Sequence, residues 1–228
     1  DLGGSKIEIA ALDRNGKAVL RRRVASPGSY VETVRAVRDL VLGAEQELGE
    51  LASVGAGIPG AISPTTGLVK NANSTWLIGH PFDRDLSEAL KREVRVANDA
   101  NCFALSEAVD GAGQDARTVF GVIIGTGTGG GISVDGRVLT GPNAIAGEWG
   151  HNPLPWPESD EFPGPACYCG RRGCIESWCS GPGLARDFLA VTGRRISAAE
   201  IADAAASGDT QAEAALTRYE RRLGKALA

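Results

Sequence analysis

The chain has 228 residues, of which 43% are hydrophobic and 23% charged, and its formal net charge at pH 7 is −4. This length allows one large domain or two small ones with a buried core. The acidic balance argues against a nucleic-acid partner, which would require clustered Lys and Arg. The basic run at residues 21–23 is interpreted as a solvated strand end. No apolar run approaches the ~18 residues that span a bilayer, so no membrane partner is expected.

Five cysteines are present, an odd number with uneven spacing. In a chain large enough to fold without disulfide bonds, this pattern favours a reducing compartment, and we expect a cytoplasmic protein. The sequence begins at Asp1, contains no Met, and stops inside a predicted helix at residues 212–228. We therefore expect it to be part of a longer protein.

The first half of the chain is predicted to alternate strands and helices. Residues 1–24 contain two apolar strands joined at Asn15 and Gly16, which both tolerate positive φ. An amphipathic helix follows at residues 30–49, then a strand, a Pro-Gly break and a short helix with Asp85 as its N-cap. The segment RVANDANCFALSEAV is interpreted as a strand that turns directly into a helix.

A second glycine-rich strand pair, residues 118–139, echoes the first: a strand, a glycine turn and a second strand are followed by Asp135 and Gly136, where the first copy has Asn15 and Gly16. This weak internal repeat predicts two related lobes, residues 1–115 and 116–228, each opening on a hairpin. Beyond residue 180 the pattern is helical, with a capping box at Ser197 and Glu200.

Two glycine-rich turns are candidate phosphate loops, DLGGSK at residues 1–6 and GTGTGGG at residues 125–131. Glycine lets backbone N–H groups approach an anion closely, and Ser, Thr or Lys adds donors. The second turn also matches GxGxxG, but a strand is predicted after it where a dinucleotide site needs a helix. The alternative for both turns is a tight hairpin that needs glycine for its geometry.

Polar residues at predicted strand ends and loops are candidates for chemistry on a hydroxyl compound. Asp99 in the segment NDAN could act as a general base toward a hydroxyl, or serve as a helix N-cap. Loop residues with fixed donors and acceptors suit carbohydrate hydroxyls, although each is alternatively a turn or surface group: Asn71, Asn73, Glu148 and His151.

Residues 150–176, GHNPLPWPESDEFPGPACYCGRRGCIE, concentrate soft ligands. His151, Cys167, Cys169 and Cys174 supply four, the number that a closed tetrahedral Zn²⁺ site requires. A disulfide between Cys167 and Cys169 would close a strained loop, and a catalytic thiol would not need two companions. Zinc is therefore favoured, although the spacing departs from the common CxxC knuckle. The two remaining cysteines, Cys102 and Cys179, are predicted to be buried core thiols.

Six segments, taken in order, resemble the ROK family of repressors, open reading frames and sugar kinases: DLGGSK, GAGIPGAISPTTGLVKNAN, NDAN, IGTGTGGG, GEWGH and CYCGRRGCIE. The resemblance covers nearly the whole chain. Within the family, VKNANSTWLIGHPFDRDL, REVRVANDANC and GEWGHNPLPW are similar to bacterial fructokinases of the mannofructokinase type. The resemblance implies an α/β fold, the two-lobed actin-like ATPase fold of the ribonuclease H type, with a zinc-stabilised loop.

The resemblance also assigns roles by position. Asp99 would be the catalytic base that accepts the proton of a sugar hydroxyl, and Asp1 would lie near a catalytic Mg²⁺. The sugar-contacting positions of the family correspond to Asn73, Asn98, Glu148, His151 and Glu176. The ATP phosphate loops correspond to Gly3, Gly4, Ser5, Lys6, Gly125, Thr126 and Gly127. The ligands of a structural Zn²⁺ correspond to His151, Cys167, Cys169 and Cys174.

The implied activity is ATP-dependent phosphorylation of a hexose, with fructose to fructose 6-phosphate as the main expectation. Glucose, mannose and N-acetylhexosamine are alternatives, because hexoses that differ in one hydroxyl are separated by geometry that sequence does not reveal. A ROK transcriptional repressor and a non-catalytic sugar-binding module are the alternatives from other classes. A homodimer is the family expectation.

Three departures from the family pattern accompany these expectations. The C-terminal strand and glycine-rich turn that hold adenosine in the family are absent from this sequence, Ser5 stands where Thr is usual, and the loop at residues 153–167 is short for the subfamily.

Overall fold

The computed structural model describes all residues, Asp1–Ala228, and they form two compact units. The first unit comprises Asp1–Ser106 and Thr140–Ile145, and the second comprises Glu107–Leu139 and Ala146–Ala228. The segment Thr140–Ile145 contacts the rest of the first unit through Lys70, whose Nζ donates to the Asn143 carbonyl at 2.5 Å. None of the helices has the length and apolar content needed to cross a membrane.

The first unit opens on an antiparallel hairpin of β1 (Lys6–Leu12) and β2 (Ala18–Ala25). Gly16 adopts φ 78° in the turn. The Asp13 carboxylate closes the turn by accepting from the Asn15 and Lys17 N–H groups at 2.8 and 2.9 Å. The predicted Asn-Gly hairpin is confirmed.

The first unit also contains a short parallel pair of strands, β3 (Val54–Ile58) and β6 (Val94–Asn98), paired from Val54 opposite Val94 to Ile58 opposite Asn98. Two strands of two residues each, β4 (Ala61–Ile62) and β5 (Val69–Lys70), form an antiparallel pair and lie between β3 and β6 in sequence. The elements in chain order are α1 (Tyr30–Leu48), β3 (Val54–Ile58), β4 (Ala61–Ile62), β5 (Val69–Lys70), α2 (Phe82–Leu90), β6 (Val94–Asn98) and α3 (Asp99–Val109). The helix α3 begins in the first unit and ends in the second.

Helix α2 begins four residues earlier than the sequence predicts, and Asp85 is not its N-cap. The helix starts at Phe82, with Pro81 at the cap position. Phe82 and Leu86 stand one helical turn apart and are both fully buried in the hydrophobic core, so burial extends the helix to Phe82. Asp85 lies inside the first turn, where its Oδ2 accepts a hydrogen bond from the Tyr30 hydroxyl at 2.5 Å.

The second unit combines one antiparallel sheet with four helices. The elements in chain order are β7 (Thr118–Ile124), β8 (Thr128–Val134), β9 (Arg137–Val138), α4 (Ile175–Cys179), α5 (Gly181–Thr192), α6 (Ala198–Ala206) and α7 (Thr210–Leu227). Asp135 and Gly136 both adopt positive φ, 48° and 71°, in the turn between β8 and β9. The capping box at Ser197 and Glu200 is present at the start of α6. Both of these predictions are confirmed.

A buried ion network ties the loop before α4 to α7. The Glu161 side chain is fully buried and accepts from Arg222 Nε at 2.9 Å and from Arg221 Nη2 at 3.0 Å. Arg222 also donates to Asp187 Oδ1 of α5 at 2.8 Å. Burial opposes ionisation of Glu161, but the Glu158 N–H and the Arg222 and Lys225 cations together lower its pKa to about 2.

Candidate functional site

The glycine-rich start of the chain forms a tight turn before β1. The Gly3 N–H donates to the Lys6 carbonyl at 2.8 Å, and the Leu2 N–H donates to the Gly57 carbonyl of β3 at 2.9 Å. Leu2 is only 2% exposed and anchors the turn in the core, while Ser5 and Lys6 are exposed. The arrangement presents a hydroxyl, an ammonium and backbone N–H groups on a fixed turn, as an anion site requires.

The second glycine-rich turn joins β7 to β8 and is closed by the Gly125 N–H, which donates to the Gly127 carbonyl at 2.9 Å. A strand follows the GxGxxG match, as predicted, so the helix that a dinucleotide site needs is not there. A Cβ at Gly127 would stand 2.6 Å from Glu176 Oε2, whereas a Cβ at Gly125 would meet nothing within 4 Å. A methyl group at position 127 would therefore displace the Glu176 carboxylate, whereas position 125 has room for one.

Three hydrogen bonds fix this turn to α4 and the start of α5. The Thr128 N–H donates to Glu176 Oε2 at 2.9 Å, and the Thr128 hydroxyl donates to the Cys179 carbonyl at 2.9 Å. The Gly181 N–H donates to the Gly125 carbonyl at 2.9 Å. Glu176, which the sequence assigns to sugar binding, therefore also supports the candidate phosphate loop.

The NDAN segment lies where β6 ends and α3 begins, as the sequence predicts. Asn98 serves as the helix cap, because its Oδ1 accepts from the Asn101 N–H at 3.0 Å while its Nδ2 donates to the Gly60 carbonyl at 3.1 Å. Asn98, and not Asp99, is therefore the N-cap of α3, and Asp99 is the first residue of the helix. Gly60 adopts φ 92°, and a Cβ at this position would lie 2.4 Å from the Lys70 carbonyl oxygen, so only glycine fits here.

Asp99 is a partly buried carboxylate without an ion-pair partner. Its Oδ1 accepts from the Ala100 N–H at 2.8 Å and from Asn98 Nδ2 at 3.2 Å. Burial raises the pKa of Asp99, and the backbone hydrogen bond from Ala100 opposes this rise. A raised carboxyl pKa strengthens its basicity, which suits a group that takes a proton from a hydroxyl.

The other sequence-predicted polar residues of the first unit lie on one irregular segment. Asn71 is exposed and adopts φ 55°, a conformation that asparagine tolerates. Asn73 is also exposed, and its neighbours Ala72 and Ser74 are buried. The buried neighbours anchor the segment and leave both amides accessible to a ligand.

The GEWGH segment of the second unit packs closely against β8. Trp149 is buried and its Nε1 donates to the Gly129 carbonyl at 2.8 Å. A Cβ at Gly147 would lie 2.4 Å from the Gly130 carbonyl, and one at Gly150 would lie 1.9 Å from the Thr128 carbonyl. Only glycine allows this approach, which places the exposed Glu148 and the half-buried His151 on either side of the anchoring Trp149.

The predicted metal ligands are brought together in the second unit. One ligand atom each from His151, Cys167, Cys169 and Cys174 lies within 4.8 Å of the others. The backbone wraps around this point, because the Cys167 N–H donates to the Arg171 carbonyl at 2.8 Å and two glycines within the loop adopt positive φ, 87° at position 170 and 68° at position 173.

The donor set fits zinc in both chemistry and spacing. Tetrahedral coordination at Zn–S of about 2.3 Å and Zn–N of about 2.0 Å implies about 3.8 Å between two sulfurs and about 3.5 Å between sulfur and nitrogen. Cys169 Sγ lies 3.6 Å from Cys174 Sγ, and Cys167 Sγ lies 3.6 Å from His151 Nδ1. The cluster would therefore accept Zn²⁺ as a structural ion, with His151 binding through Nδ1.

The thiols of the cluster differ in acidity. Burial raises the pKa of Cys167 and raises that of Cys174 to about 12, whereas the Arg171 N–H lowers that of Cys169. Because zinc binds thiolates, loading the cluster releases protons, and metal affinity falls as the pH falls. Of the two other cysteines, Cys179 is buried as predicted, but Cys102 is exposed.

One residue of the site escapes the sequence analysis. The Tyr168 hydroxyl lies 3.0 Å from His151 Nε2, and its ring meets the imidazole edge-on, at 85° with centroids 5.1 Å apart. The signal in the sequence was a tyrosine between two metal-ligand cysteines, but the direction of its side chain depends on the path of the loop.

The architecture is that of solved ROK proteins. The ROK hexokinase of Thermus thermophilus matches with a TM-score of 0.83 at 32% identity, covering 99% of this chain and 74% of the hexokinase. A ROK glucokinase of Streptomyces griseus, solved with glucose and AMPPNP, matches with a TM-score of 0.78 at 28% identity, covering 99% of this chain and 76% of the glucokinase. A ROK transcriptional regulator, homologous to the E. coli MLC protein, has a TM-score of 0.83 at 25% identity and covers 99% of this chain and 59% of the regulator.

A model of the ROK family matches residues 1–228, and the chain belongs to this family. The predicted α/β fold is confirmed, and the His/Cys cluster is consistent with the predicted zinc-stabilised loop. A relative from Yersinia pestis bv. Antiqua (strain Nepal516), N-acetyl-D-glucosamine kinase, is 40% identical over 224 residues, which are 96% of this chain and 88% of the relative. The relatives thus favour the N-acetylhexosamine alternative, and the expected similarity to fructokinases is not supported.

Proposed function

We propose that this chain is an ATP-dependent N-acetyl-D-glucosamine kinase, which transfers the γ-phosphoryl group of ATP to a hydroxyl of the sugar. The observation that carries the proposal is the 40% identity to the Yersinia pestis N-acetyl-D-glucosamine kinase over 96% of this chain. The glucokinase solved with glucose and AMPPNP supports a sugar and a nucleotide as the two ligands.

In this proposal Asp99 is the catalytic base. It begins α3, its carboxylate is held by the Ala100 N–H at 2.8 Å, and burial raises its pKa. Sugar hydroxyls have pKa values far above 7, so proton transfer to Asp99 occurs as the new P–O bond forms rather than before it. The sugar hydroxyls are bound by the polar groups at Asn73, Asn98, Glu148, His151 and Glu176.

The phosphates of ATP are assigned to the two glycine turns, residues 3–6 and 125–127. The Gly3 and Gly125 N–H groups close these turns, so the donors to phosphate are assigned to Gly4, Ser5 and Lys6 in one and to Thr126 and Gly127 in the other. Phosphoryl transfer depends on alignment and on neutralisation of charge, and backbone N–H groups on fixed turns provide both. The exposed Asp1 offers the carboxylate oxygen that Mg²⁺ prefers. Mg²⁺ would neutralise the phosphate charge when bound.

The test is a coupled ADP-release assay on zinc-loaded full-length protein with Mg-ATP, comparing N-acetylglucosamine, glucose, mannose and fructose by kcat/KM. We expect N-acetylglucosamine to lead. Asp99→Asn should lower kcat by ~10²–10⁴, the usual contribution of a general base, and leave sugar affinity largely intact. The exposed Asp115→Asn serves as a matched control and should retain full activity.

Each result of this assay separates the candidate functions. Preference for another hexose would keep the chemistry and change the substrate. Sugar binding without ATP turnover in folded, zinc-replete protein would contradict the kinase and favour the ROK regulator or a sugar-binding module, since a ROK regulator shares the fold.

A further inference from the structure

Glu176 is assigned to the sugar in the proposed function, yet one of its two carboxylate oxygens already has a partner within the protein. Oε2 accepts a hydrogen bond from the Thr128 N–H at 2.9 Å, and Oε1 accepts none. The side chain is half-buried, and Oε1 is not sealed from solvent. The carboxylate therefore has one oxygen committed to the protein and one oxygen available to a ligand.

The Thr128 N–H belongs to the second glycine turn. Thr128 is the first residue of β8, directly after residues 125–127, and it is only 6% exposed. A buried N–H that loses its acceptor is destabilising, because it cannot pair with water instead. Without the carboxylate, the chain at Thr128 would therefore shift toward another acceptor and would carry the neighbouring N–H groups of Gly127 and Thr126 with it.

The carboxylate is held in a fixed position by the short helix α4. Ile175 and Trp178, on either side of Glu176 in sequence, are buried in one hydrophobic cluster. The last residue of the helix, Cys179, is fully buried, and its carbonyl accepts from the Tyr219 hydroxyl of α7 at 3.1 Å. Because both ends of α4 are packed, the acceptor that Glu176 offers to the turn is preorganised.

We propose that Glu176 serves both substrates of the kinase: Oε1 accepts a hydrogen bond from a sugar hydroxyl, and Oε2 positions the second glycine turn for the phosphates of ATP. This inference rests on the proposed function, because it takes the sugar and ATP to be the ligands. Toward ATP, Glu176 is a positioning residue. Its negative charge repels a phosphate, so it acts on the nucleotide only through the backbone that donates to the phosphates.

The experiment compares Glu176→Ala, Glu176→Gln and Ser177→Ala in zinc-saturated full-length protein. Titration calorimetry measures the affinity for Mg-AMPPNP without sugar and, separately, the affinity for N-acetylglucosamine without nucleotide. Measuring the nucleotide alone isolates the turn, because a residue that only contacts the sugar does not change this affinity. Ser177→Ala is the matched control: the Ser177 hydroxyl donates to the Cys174 carbonyl at 2.7 Å, so its removal perturbs the same helix without touching the turn.

We expect Glu176→Ala to bind Mg-AMPPNP about 3- to 10-fold more weakly, the usual value of one hydrogen bond, and Ser177→Ala to match the wild type. A glutamine side chain has a single acceptor oxygen, which pairs with the Thr128 N–H because an amide NH2 group only donates. Glu176→Gln should therefore keep most of the nucleotide affinity. Both Glu176 variants should bind the sugar at least about 10-fold more weakly, since each loses a charged acceptor.

The outcomes separate this inference from the proposed function. Wild-type nucleotide affinity in Glu176→Ala would overturn the positioning role and leave the kinase intact. Equal weakening in Ser177→Ala would also overturn it, because general loosening of α4 would then explain the loss. Unchanged sugar affinity in both Glu176 variants would overturn the role of Oε1. Weaker nucleotide binding in Glu176→Ala with no ATP turnover in the wild type would uphold the positioning role and contradict the kinase. Absence of nucleotide binding by the wild type would overturn both.

Discussion

Replacement of Glu161 by Ala should destabilise the protein by about 3 kcal/mol. Its carboxylate is fully buried and pairs with Arg222, of which only 5% of the side chain is exposed, at 2.9 Å. Removing one partner of a buried ion pair costs ~3–5 kcal/mol, because the other charge stays desolvated. In the variant, Arg222 keeps its hydrogen bond to Asp187 at 2.8 Å and its guanidinium stays 4.3 Å from the centroid of the Trp178 ring. Because these contacts remain, we expect the loss of stability to lie at the lower end of this range.

The matched control is Glu158→Ala, in the same loop and with two of the same partners. Glu158 lies 3.3 Å from both Arg221 and Lys225, but 48% of its side chain is exposed. Exposed pairs contribute ~0–1 kcal/mol, so this variant should unfold almost like the wild type. The measurement is urea unfolding of zinc-loaded protein followed by tryptophan fluorescence. Equal destabilisation by the two substitutions would refute the reasoning, because burial would then not decide the cost.

Three further predictions follow from the second unit. The pKa of Glu161 is about 2, below its ordinary value of 4.5, so the stability that its carboxylate contributes is present above pH 4.5 and is lost as the pH falls toward 2. The free energy of unfolding should therefore fall more steeply over this pH range in the wild type than in Glu161→Gln, and parallel acid-unfolding curves would contradict this. Cys174→Ser should lose zinc to a chelator at concentrations that leave exposed Cys102→Ser loaded, and equal metal content would refute the assigned ligand. Gly127→Ala places a methyl 2.6 Å from Glu176 Oε2, displaces that carboxylate from the Thr128 N–H and should cost about 1 kcal/mol in thermal unfolding. Gly125→Ala meets nothing within 4 Å and should cost less; the reverse order would refute the packing argument.

Features that depend on a few neighbouring residues were predictable from the sequence. The Asn15-Gly16 and Asp135-Gly136 turns require positive φ, and the capping box joins residues three apart, so local chemistry decides them. The metal cluster was also predictable, because four soft ligands have few other uses in one short segment.

Features that depend on packing were not predictable. Helix α2 starts early because Phe82 is buried, and the exposure of Cys102 is likewise set by the tertiary structure. From its sequence context, Glu161 is expected to be an exposed acidic residue in a polar loop. It is buried because it pairs with Arg222, which lies 61 residues later in the sequence. The expectation of fructose as substrate failed for another reason. The glycine turns, Asp99 of the NDAN segment and the cysteine cluster are assigned to steps that do not depend on which hexose is bound, whereas the choice among hexoses depends on hydrogen-bond geometry around the sugar.

The division of the chain has a consequence for its synthesis. The first unit includes Thr140–Ile145, which the ribosome makes only after Glu107–Leu139 of the second unit. Domains emerge from the N-terminus at about 5–20 residues per second, so a nascent first unit waits for several seconds without this segment. During that interval the ammonium of Lys70 lacks the Asn143 carbonyl that it contacts in the finished protein. Completion of the first unit is thereby timed by translation of Glu107–Leu139, the earlier segment of the second.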